Sequence, residues 1–354
     1  MARSRPISLA SVGVVSLVLP ALGLLTVSTS TWSAQSSAPP NRVLIRAGYD
    51  ANGGAWSVSA GGDEPLLVGG PKTFRPGLRS RVNFTGLRAT IDGNTLWMSD
   101  GSSRVVSVAL ADGATQELHL PLPRITEIVT GGGIVFAAFN DDRADRVLRF
   151  DPLTKTGERI FEAQVPNTFL TMATGPTHLW IATWTGLGAR RVRVDLTGIP
   201  LSKASKELPR RVIREVDWAA ERWPGFAIRE DDSGNVWLAH TYAGRVERVD
   251  PSGVWTSWPF SPERLVALVP VGSRALALVA AMAPPDPLAP PQFGQTTRSQ
   301  SVVVIDPASK DLARTNLAPG TRVESLDRAG GRTWIAQGRE VKIVGGRAVV
   351  NELE

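Results

Sequence analysis

Residues 234–260 read Gly-Asn-Val-Trp-Leu-Ala-His-Thr-Tyr-Ala-Gly-Arg-Val-Glu-Arg-Val-Asp-Pro-Ser-Gly-Val-Trp-Thr-Ser-Trp-Pro-Phe. Two runs of strand length, Val236–His240 and Arg245–Asp250, are separated by a loop that contains glycine, and the turn Pro251-Ser252-Gly253 follows them. A further run, Val254–Phe260, comes after that turn. With one strand before them, these segments predict a unit of four strands, named A to D in chain order, in about 40 residues.

The same unit recurs along the chain, with an aromatic residue or a leucine near the start of each B strand. The spacing between these B-strand anchors is about 40 to 60 residues, which brackets the length of a propeller blade. A single four-stranded sheet cannot bury both faces, so each blade must pack against its neighbours. The repeat therefore predicts an all-β fold, a β-propeller of seven four-stranded blades within residues 41–354. The seven anchors are Trp56, Trp97, Phe136, Trp180, Trp237, Leu276 and Trp334.

The first copy of the repeat is degenerate, so blade counts of six or eight stay open. Counted literally, the repeat begins with an A strand at Val43–Asp50 and ends with a D strand at Arg347–Leu353. The propeller would then close without an exchange of strands between the two ends of the chain. A shift of one strand would instead make Arg42–Ala47 the last strand of the final blade.

Composition limits the class of protein. The chain has 354 residues, of which 42% are hydrophobic, and this content supports a sizeable core. It has no cysteine, which excludes disulfides, thiolate metal sites and a cysteine nucleophile. The formal charge of +6 is spread along the chain and not concentrated in one patch, so we expect no binding to nucleic acid.

The N-terminal residues have the pattern of an export signal. Arg3 and Arg5 precede the apolar run Ile7–Val27, and no charged residue follows until Arg42. Residues 1–38 are therefore predicted to be a signal peptide or a retained membrane anchor, with residues 7–27 as the tether in the second case. Both alternatives place the propeller outside the cytoplasm, in the periplasm, at the cell surface or in the medium.

Two repeats carry extra residues. Residues Ala283–Gln300 are rich in proline and must form a loop between strands B and C. Residues Leu196–Pro224 are basic and aromatic, and the spacing of Val212, Val216, Ala219 and Trp223 after Pro209 predicts a short amphipathic helix between strand D and the next strand A. Connections of both types leave a four-stranded blade at the same end, here named the B–C end. We predict that this end binds a partner. The candidate binding residues are Arg210, Arg211, Arg214, Trp218, Trp223, Tyr242 and Arg245.

The chain has three histidines and one dense acidic loop. His119 and His178 are expected at the surface, whereas His240 ends a B strand at the B–C end and is the candidate catalytic residue. The acidic loop offers oxygen ligands for a divalent cation such as Mg²⁺ or Ca²⁺, although its carboxylates are equally suited to pairing with neighbouring arginines. The candidate metal ligands are Asn140, Asp141, Asp142 and Asp145.

The strings Gly234-Asn235-Val236-Trp237 and Arg245–Gly253 resemble the repeats of the streptogramin B lyase (virginiamycin B lyase) family. They also look like the repeats of NHL, YVTN and gluconolactonase-type propellers. The lyase resemblance implies metal-assisted ring opening by histidines and a Glu-x-His pair. Here the only such pair, Glu117-Leu118-His119, lies on an outer strand, so no catalytic residue is carried over. The gluconolactonase-type resemblance implies a central cation, and Glu127, Glu230 and Glu324 fall in or near inner strands.

The absence of catalytic motifs and the position of both long connections at one end favour a binding function over catalysis. We predict an exported, monomeric, non-catalytic propeller without a cofactor, which binds a protein or a glycan at its B–C end. The alternative is a lyase or hydrolase of the streptogramin lyase or gluconolactonase type that uses a divalent cation.

Overall fold

A computed structural model gives the fold as a set of antiparallel sheets. Its description covers residues 43–49, 55–60, 67–69, 72–78, 88–140, 144–163, 169–188, 191–202, 208–217, 226–240, 244–260, 263–282, 297–309, 312–317, 326–329, 332–335 and 339–350. These residues form strands, turns and short irregular segments, and no helix occurs among them. Accordingly, the described part of the chain holds no helix with the length and apolar character needed to cross a membrane. The predicted export signal in residues 1–38 lies outside the described ranges.

Seven sheets follow one another along the chain, which confirms the predicted all-β propeller with seven blades. Blade one contains β1 (Val43–Tyr49), β2 (Ala55–Ala60) and β3 (Leu67–Gly69). Blade two contains β4 (Arg88–Asp92), β5 (Thr95–Ser99), β6 (Arg104–Ala109) and β7 (Thr115–His119). Blade three contains β8 (Ile125–Gly131), β9 (Ile134–Asn140), β10 (Asp145–Asp151) and β11 (Thr156–Glu162). Blade four contains β12 (Phe169–Thr174), β13 (His178–Gly188), β14 (Arg191–Pro200) and β15 (Arg210–Asp217).

The remaining three blades have the same order of strands. Blade five contains β16 (Phe226–Glu230), β17 (Val236–His240), β18 (Arg245–Val249) and β19 (Trp255–Pro259). Blade six contains β20 (Arg264–Val271), β21 (Arg274–Met282), β22 (Thr297–Ile305) and β23 (Leu312–Asn316). Blade seven contains β24 (Leu326–Ala329), β25 (Arg332–Ile335), β26 (Arg339–Val344) and β27 (Arg347–Val350). Within each sheet every strand is hydrogen-bonded to the strand next to it in sequence, so the blades are simple meanders.

The first strands of the blades lie next to one another and form the inner ring. Contacts join β4 to β8, β8 to β12, β12 to β16, β16 to β20 and β20 to β24. The ring closes by packing, because β1 contacts β24 while its hydrogen-bonded partner is β2. The literal count of the repeat is therefore correct, and the alternative in which residues 42–47 complete the last blade is wrong.

Each blade packs against the next through a buried apolar cluster, and the B-strand anchors lie in these clusters. The six anchors whose side chains are described are buried as predicted, and the side chain of the seventh, Trp334, lies outside the description: Trp56, Trp97, Phe136, Trp180, Trp237 and Leu276 are the buried six. Trp180 shows how tight the packing is, since a Cβ at Gly198 on β14 would lie 2.8 Å from its ring. Only a glycine leaves room there for the indole. The apolar faces of the sheets thus fix the positions of the blades, and the polar residues between blades four and five are placed by this packing.

Two predictions for residues 196–224 are wrong. One is the amphipathic helix after Pro209, and the other is the assignment of the whole stretch to a connection between strand D and the next strand A, since residues 196–200 belong to β14. Residues Arg210–Asp217 form β15, the outer strand of blade four, paired with β14 along its length. Burial alternates on this strand, with Arg210, Val212 and Arg214 half-buried and the residues between them exposed. A side-chain period of two is that of a strand and not of a helix. The connection from β15 to β16 covers residues 218–225, which lie outside the description.

Candidate functional site

The B–C hairpins differ in how far they extend beyond the inner strand of their own blade. The hairpins of blades four and six, on either side of blade five, are the longer ones. In blade four, Phe169 begins the inner strand and pairs with Trp184, but β13 continues through Thr185–Gly188 before the chain turns back. At about 3.3 Å per residue, this extension adds about 13 Å to the hairpin. Blade six extends by Ala281 and Met282 beyond the pair Arg264–Ala280.

The described strands of blade five carry no such extension. Its inner strand begins at Phe226, and Phe226 pairs with His240, the last residue of β17. The last residue of β17 therefore lies at the height of the first residue of the inner strand in blade five. In blades four and six, strand B extends beyond that height. We name this lower region, between the β13–β14 hairpin and the β21–β22 hairpin, the notch.

A buried histidine and glutamate lie below the notch, on neighbouring strands of blade five. His240 pairs in register with Arg245, and Glu247 lies two residues further along β18 on the same side of the sheet. The His240 Nε2 atom is 2.9 Å from Glu247 Oε2. Both residues are almost fully covered, because 1% of the His240 side chain and 2% of the Glu247 side chain are exposed.

Two arginines approach the second oxygen of the same glutamate. Arg214 Nη1, from β15 of blade four, is 2.9 Å from Glu247 Oε1, and Arg245 Nε is 3.5 Å from that atom. The Arg214 guanidinium also lies 4.8 Å from the centre of the Trp255 ring, a distance suited to a cation–π contact. We name His240, Glu247, Arg214 and Arg245 the blade-four–five cluster. It joins the outer strand of one blade to the middle of the next.

Burial and charge set the protonation states in this cluster. Burial lowers the pKa of His240, and the guanidiniums of Arg245 and Arg214 lower it further, against the hydrogen bond and charge of Glu247. For Glu247, burial acts to raise the pKa, but the hydrogen bond from His240 and the charges of His240, Arg245 and Arg214 together lower it. At neutral pH the histidine is therefore neutral and donates its Nε2 proton to an ionised Glu247.

These pKa shifts predict that the free energy of unfolding decreases in two steps as the pH falls. The ordinary pKa of histidine is 6.5, and that of His240 is lower in the folded state, so the unfolded chain takes up the proton first. The free energy of unfolding should fall as the pH decreases below about 6.5, by at most about 1.4 kcal/mol per pH unit for this group. Glu247 adds a second loss below its ordinary pKa of 4.5, because its folded pKa is lower still.

Urea unfolding of the wild type and of His240→Gln between about pH 7.5 and 5 measures the first step. Glutamine can donate a hydrogen bond to Glu247 but does not titrate, so the variant should have a flatter profile over this range. Equal slopes for the two proteins would contradict the assignment of the first step to His240.

The second buried histidine was predicted at the surface, and that prediction is wrong. His178 begins β13 at the opposite end of the propeller, where its Nδ1 atom is 3.0 Å from Glu230 Oε1. Glu230 also accepts a hydrogen bond from the backbone N–H of His178, at 3.2 Å. The buried carboxylate thus connects blade five to the A–B turn of blade four. His119 is exposed on β7, as predicted.

The gluconolactonase-type resemblance implied three glutamates as cation ligands, and the two that are described accept hydrogen bonds from a neighbouring blade instead. Glu127 accepts a hydrogen bond from the backbone N–H of Met172, at 3.2 Å, and another from Thr171 Oγ1, at 3.1 Å, both on the next inner strand. Glu230 is bound to His178, and Glu324 lies outside the description. Among the described residues, no group of three or more histidine or acidic side chains is placed to hold a metal ion.

The acidic loop of blade three is described only at its ends. Asn140 Nδ2 donates to Asp145 Oδ1 at 2.8 Å, so these two candidate ligands do lie together. Asp141 and Asp142 fall in residues 141–143, outside the described ranges. The site therefore stays a prediction.

The other candidate binding residues have different surroundings. Arg210 donates to the backbone carbonyl of Gly234 at 3.0 Å and to that of Asp250, and its guanidinium lies 5.3 Å from the centre of the Trp180 ring. Arg211 points to the other side of β15 and donates to Asp195 at 3.0 Å. The structure thus brings only Arg214 and Arg245 together with His240. Trp218, Trp223 and Tyr242 lie outside the description.

Sequence reasoning missed Glu247 as a member of the site. One signal was present, because Glu247 stands in the middle of the short strand Arg245–Val249, where a charged side chain on the covered face needs a partner. The partner from blade four, Arg214, is 33 positions away in the chain, and nothing in the local pattern of β15 points to it.

Comparisons with known proteins find structural similarity at low sequence identity only. The sequence matches no protein-family model. No curated protein sequence matches it. Among solved structures, it is similar to virginiamycin B lyase from Staphylococcus aureus, with 15% identity, coverage of 76% of this chain and 85% of that chain, and a TM-score of 0.46.

Two further structures are similar at the same level. One is a streptogramin B lyase, with 12% identity, coverage of 76% and 84% of the two chains, and a TM-score of 0.46. The other is the β-propeller domain of Cps50 (Swd1) from Myceliophteria thermophila, with 12% identity, coverage of 88% and 100%, and a TM-score of 0.49. The resemblance to streptogramin B lyases seen in residues 234–253 recurs here, for the scaffold alone. The assignment of the fold rests on the seven sheets.

Proposed function

We propose that this protein is an exported, non-catalytic binding module that holds a protein or glycan partner at its B–C end. The observation that carries the proposal is the notch, where blade five stays level while the hairpins of blades four and six rise on either side. A recess between raised hairpins on a rigid scaffold is a common setting for recognition. Export is the other part of the proposal and is supported by the pattern of residues 1–38.

The fully covered state of His240 supports binding over catalysis. A general base must come within hydrogen-bond reach of the proton that it removes, and this ring is held against Glu247 with 1% of its side chain exposed. The partly exposed members of the cluster are the two arginines, a residue type that recognises ligands by charge and hydrogen bonds.

Site-specific photo-cross-linking in cells that produce the protein tests the proposal. The benzophenone amino acid p-benzoyl-phenylalanine replaces Thr185 on the raised hairpin of blade four, or Leu153 as the matched control. Leu153 is 93% exposed on the C–D turn of blade three, at the opposite end of the propeller. We expect a discrete adduct of higher mass from position 185 only, reduced by an excess of wild-type protein, and stained as protein or as glycan.

Two outcomes would reject a partner at the B–C end. One is the absence of any adduct from position 185 in cells that produce folded protein. The other is an equal yield of the same adduct from positions 185 and 153, since both ends would then bind without selectivity.

A further inference from the structure

The blade-four–five cluster has more hydrogen-bond donors than acceptors. The guanidiniums of Arg214 and Arg245 each carry five N–H groups. The one acceptor that the described residues bring to both is Glu247 Oε1. Arg214 Nη1 and Arg245 Nε are themselves covered and have no geometrically aligned acceptor among the described residues, so a ligand must meet the other N–H groups of the two guanidiniums. Most of the donor capacity of the pair is thus not used by this part of the chain.

The cluster also carries an excess of positive charge. Arg214 and Arg245 contribute two positive charges, the ionised Glu247 contributes one negative charge, and His240 is neutral at neutral pH. Two guanidiniums in a partly desolvated place attract an anion more strongly than they would in open water. The electrostatic balance therefore favours a second negative group beside Glu247.

Both arginines are accessible and lie at the foot of the notch. Arg214 is 29% exposed and Arg245 is 27% exposed, whereas the glutamate that they share is covered. In register, Arg214 is level with Phe169, the first residue of the inner strand of blade four, and Arg245 is level with Phe226, the first residue of that of blade five. Both arginines therefore lie at the height at which the notch begins.

We infer that Arg245 and Arg214 form a binding site for a carboxylate group of the partner. The geometry of the cluster supports a carboxylate in particular, because the pair is already arranged around the carboxylate of Glu247. Guanidinium groups bind planar carboxylates through parallel hydrogen bonds. This inference rests on the proposed binding function and names its ligand chemistry: an acidic side chain of a protein, or a uronic acid in a glycan.

The test uses matched pairs of small ligands and the purified protein. The acidic probes are D-glucuronate and N-acetylglutamate, and their neutral counterparts are D-glucose and N-acetylglutamine. We expect an acidic probe to bind at least about tenfold more tightly than its counterpart by NMR titration or calorimetry, as one charge-assisted hydrogen bond allows. The better acidic probe identifies the source of the group, glycan or protein.

Three variants connect this binding to the arginine pair. Arg245→Gln should weaken the binding of the acidic probe by about tenfold, and Arg245→Lys should weaken it less, because lysine keeps the charge but cannot form the parallel hydrogen bonds. Arg104→Gln is the control, because Arg104 is a partly exposed arginine of blade two that pairs with Glu117. It should bind like the wild type. Thermal unfolding of each variant shows whether it is folded.

Several results would overturn the inference. They are equal binding of acidic and neutral probes, binding of neither, equal effects of Arg245→Gln and Arg104→Gln, or tighter binding of inorganic phosphate or sulfate than of either carboxylate. These results leave the cross-linking at Thr185 unaffected, so a partner can exist without this site. Conversely, probe binding without any adduct at Thr185 would support the site and reject the partner.

Discussion

Replacing Trp237 with alanine is expected to lower the free energy of unfolding by about 4 kcal/mol, as large-to-small changes of a buried aromatic side chain do. The Trp237 side chain is fully buried in the cluster between blades five and six, and its ring stacks on Trp258 with 5.6 Å between the ring centres. Its Nε1 atom donates to Asp231 Oδ2 at 2.9 Å, so the alanine also removes a hydrogen bond from a buried carboxylate.

Equilibrium unfolding in urea measures this loss, and two variants separate its causes. Trp237→Phe keeps most of the apolar volume and loses the N–H donor, so we expect about half of the effect. Leu153→Ala is the control at an exposed position and should change stability by less than about 0.5 kcal/mol. A loss below about 1 kcal/mol for Trp237→Ala would contradict the packing of these two blades.

Replacing Glu247 with alanine is expected to lower the free energy of unfolding by about 3 kcal/mol, at the low end for a broken buried ion pair, because it leaves two partly covered guanidiniums without their counter-charge. Arg214, Arg245 and His240 all direct a nitrogen atom at this carboxylate, and 2% of the Glu247 side chain is exposed. Glu247→Gln keeps an acceptor for His240 but removes the negative charge. Its loss should be smaller than that of the alanine variant.

An exposed ion pair of the same type provides the control for Glu247. Arg104 Nε is 2.8 Å from Glu117 Oε1 in blade two, and 42% of the Glu117 side chain is exposed. Since solvent screens such a pair, Glu117→Ala should cost less than about 1 kcal/mol. Equal losses at the two glutamates in urea unfolding would show that Glu247 is not held in a buried cluster.

The architecture could be predicted from the sequence because its signals are local. A turn, a run of strand length and an aromatic residue occur together in most copies, and each B-strand anchor packs where its own strand puts it. Trp180 and Trp237 therefore lie in the predicted strands and are fully buried. The local signals do not predict how the propeller closes, since closure depends on whether β1 pairs with β2 or with a strand from the other end of the chain.

Strand β15 shows why a local pattern can fail. Its covered positions carry Arg210, Val212 and Arg214, so two of the three covered side chains are charged, while Ile213 on the other face is exposed. Arginine can be covered here because its partners come from blade five: the carbonyls of Gly234 and Asp250 for Arg210, and the carboxylate of Glu247 for Arg214. When these partners are not known, the alternation of covered and exposed side chains on the strand cannot be recognised, and the apolar residues alone fit a helical spacing.

The sequence by itself determined the repeat, most of the strands and the burial of the described anchors. All of these follow from side-chain patterns within about 40 residues. Only the tertiary structure decided which polar residues meet. His178 with Glu230 and Arg214 with Glu247 are pairs between blades, separated by 52 and 33 positions in the chain. Their contacts exist because the apolar faces of blades four and five pack together, and that packing leaves no water to solvate the charges that it covers.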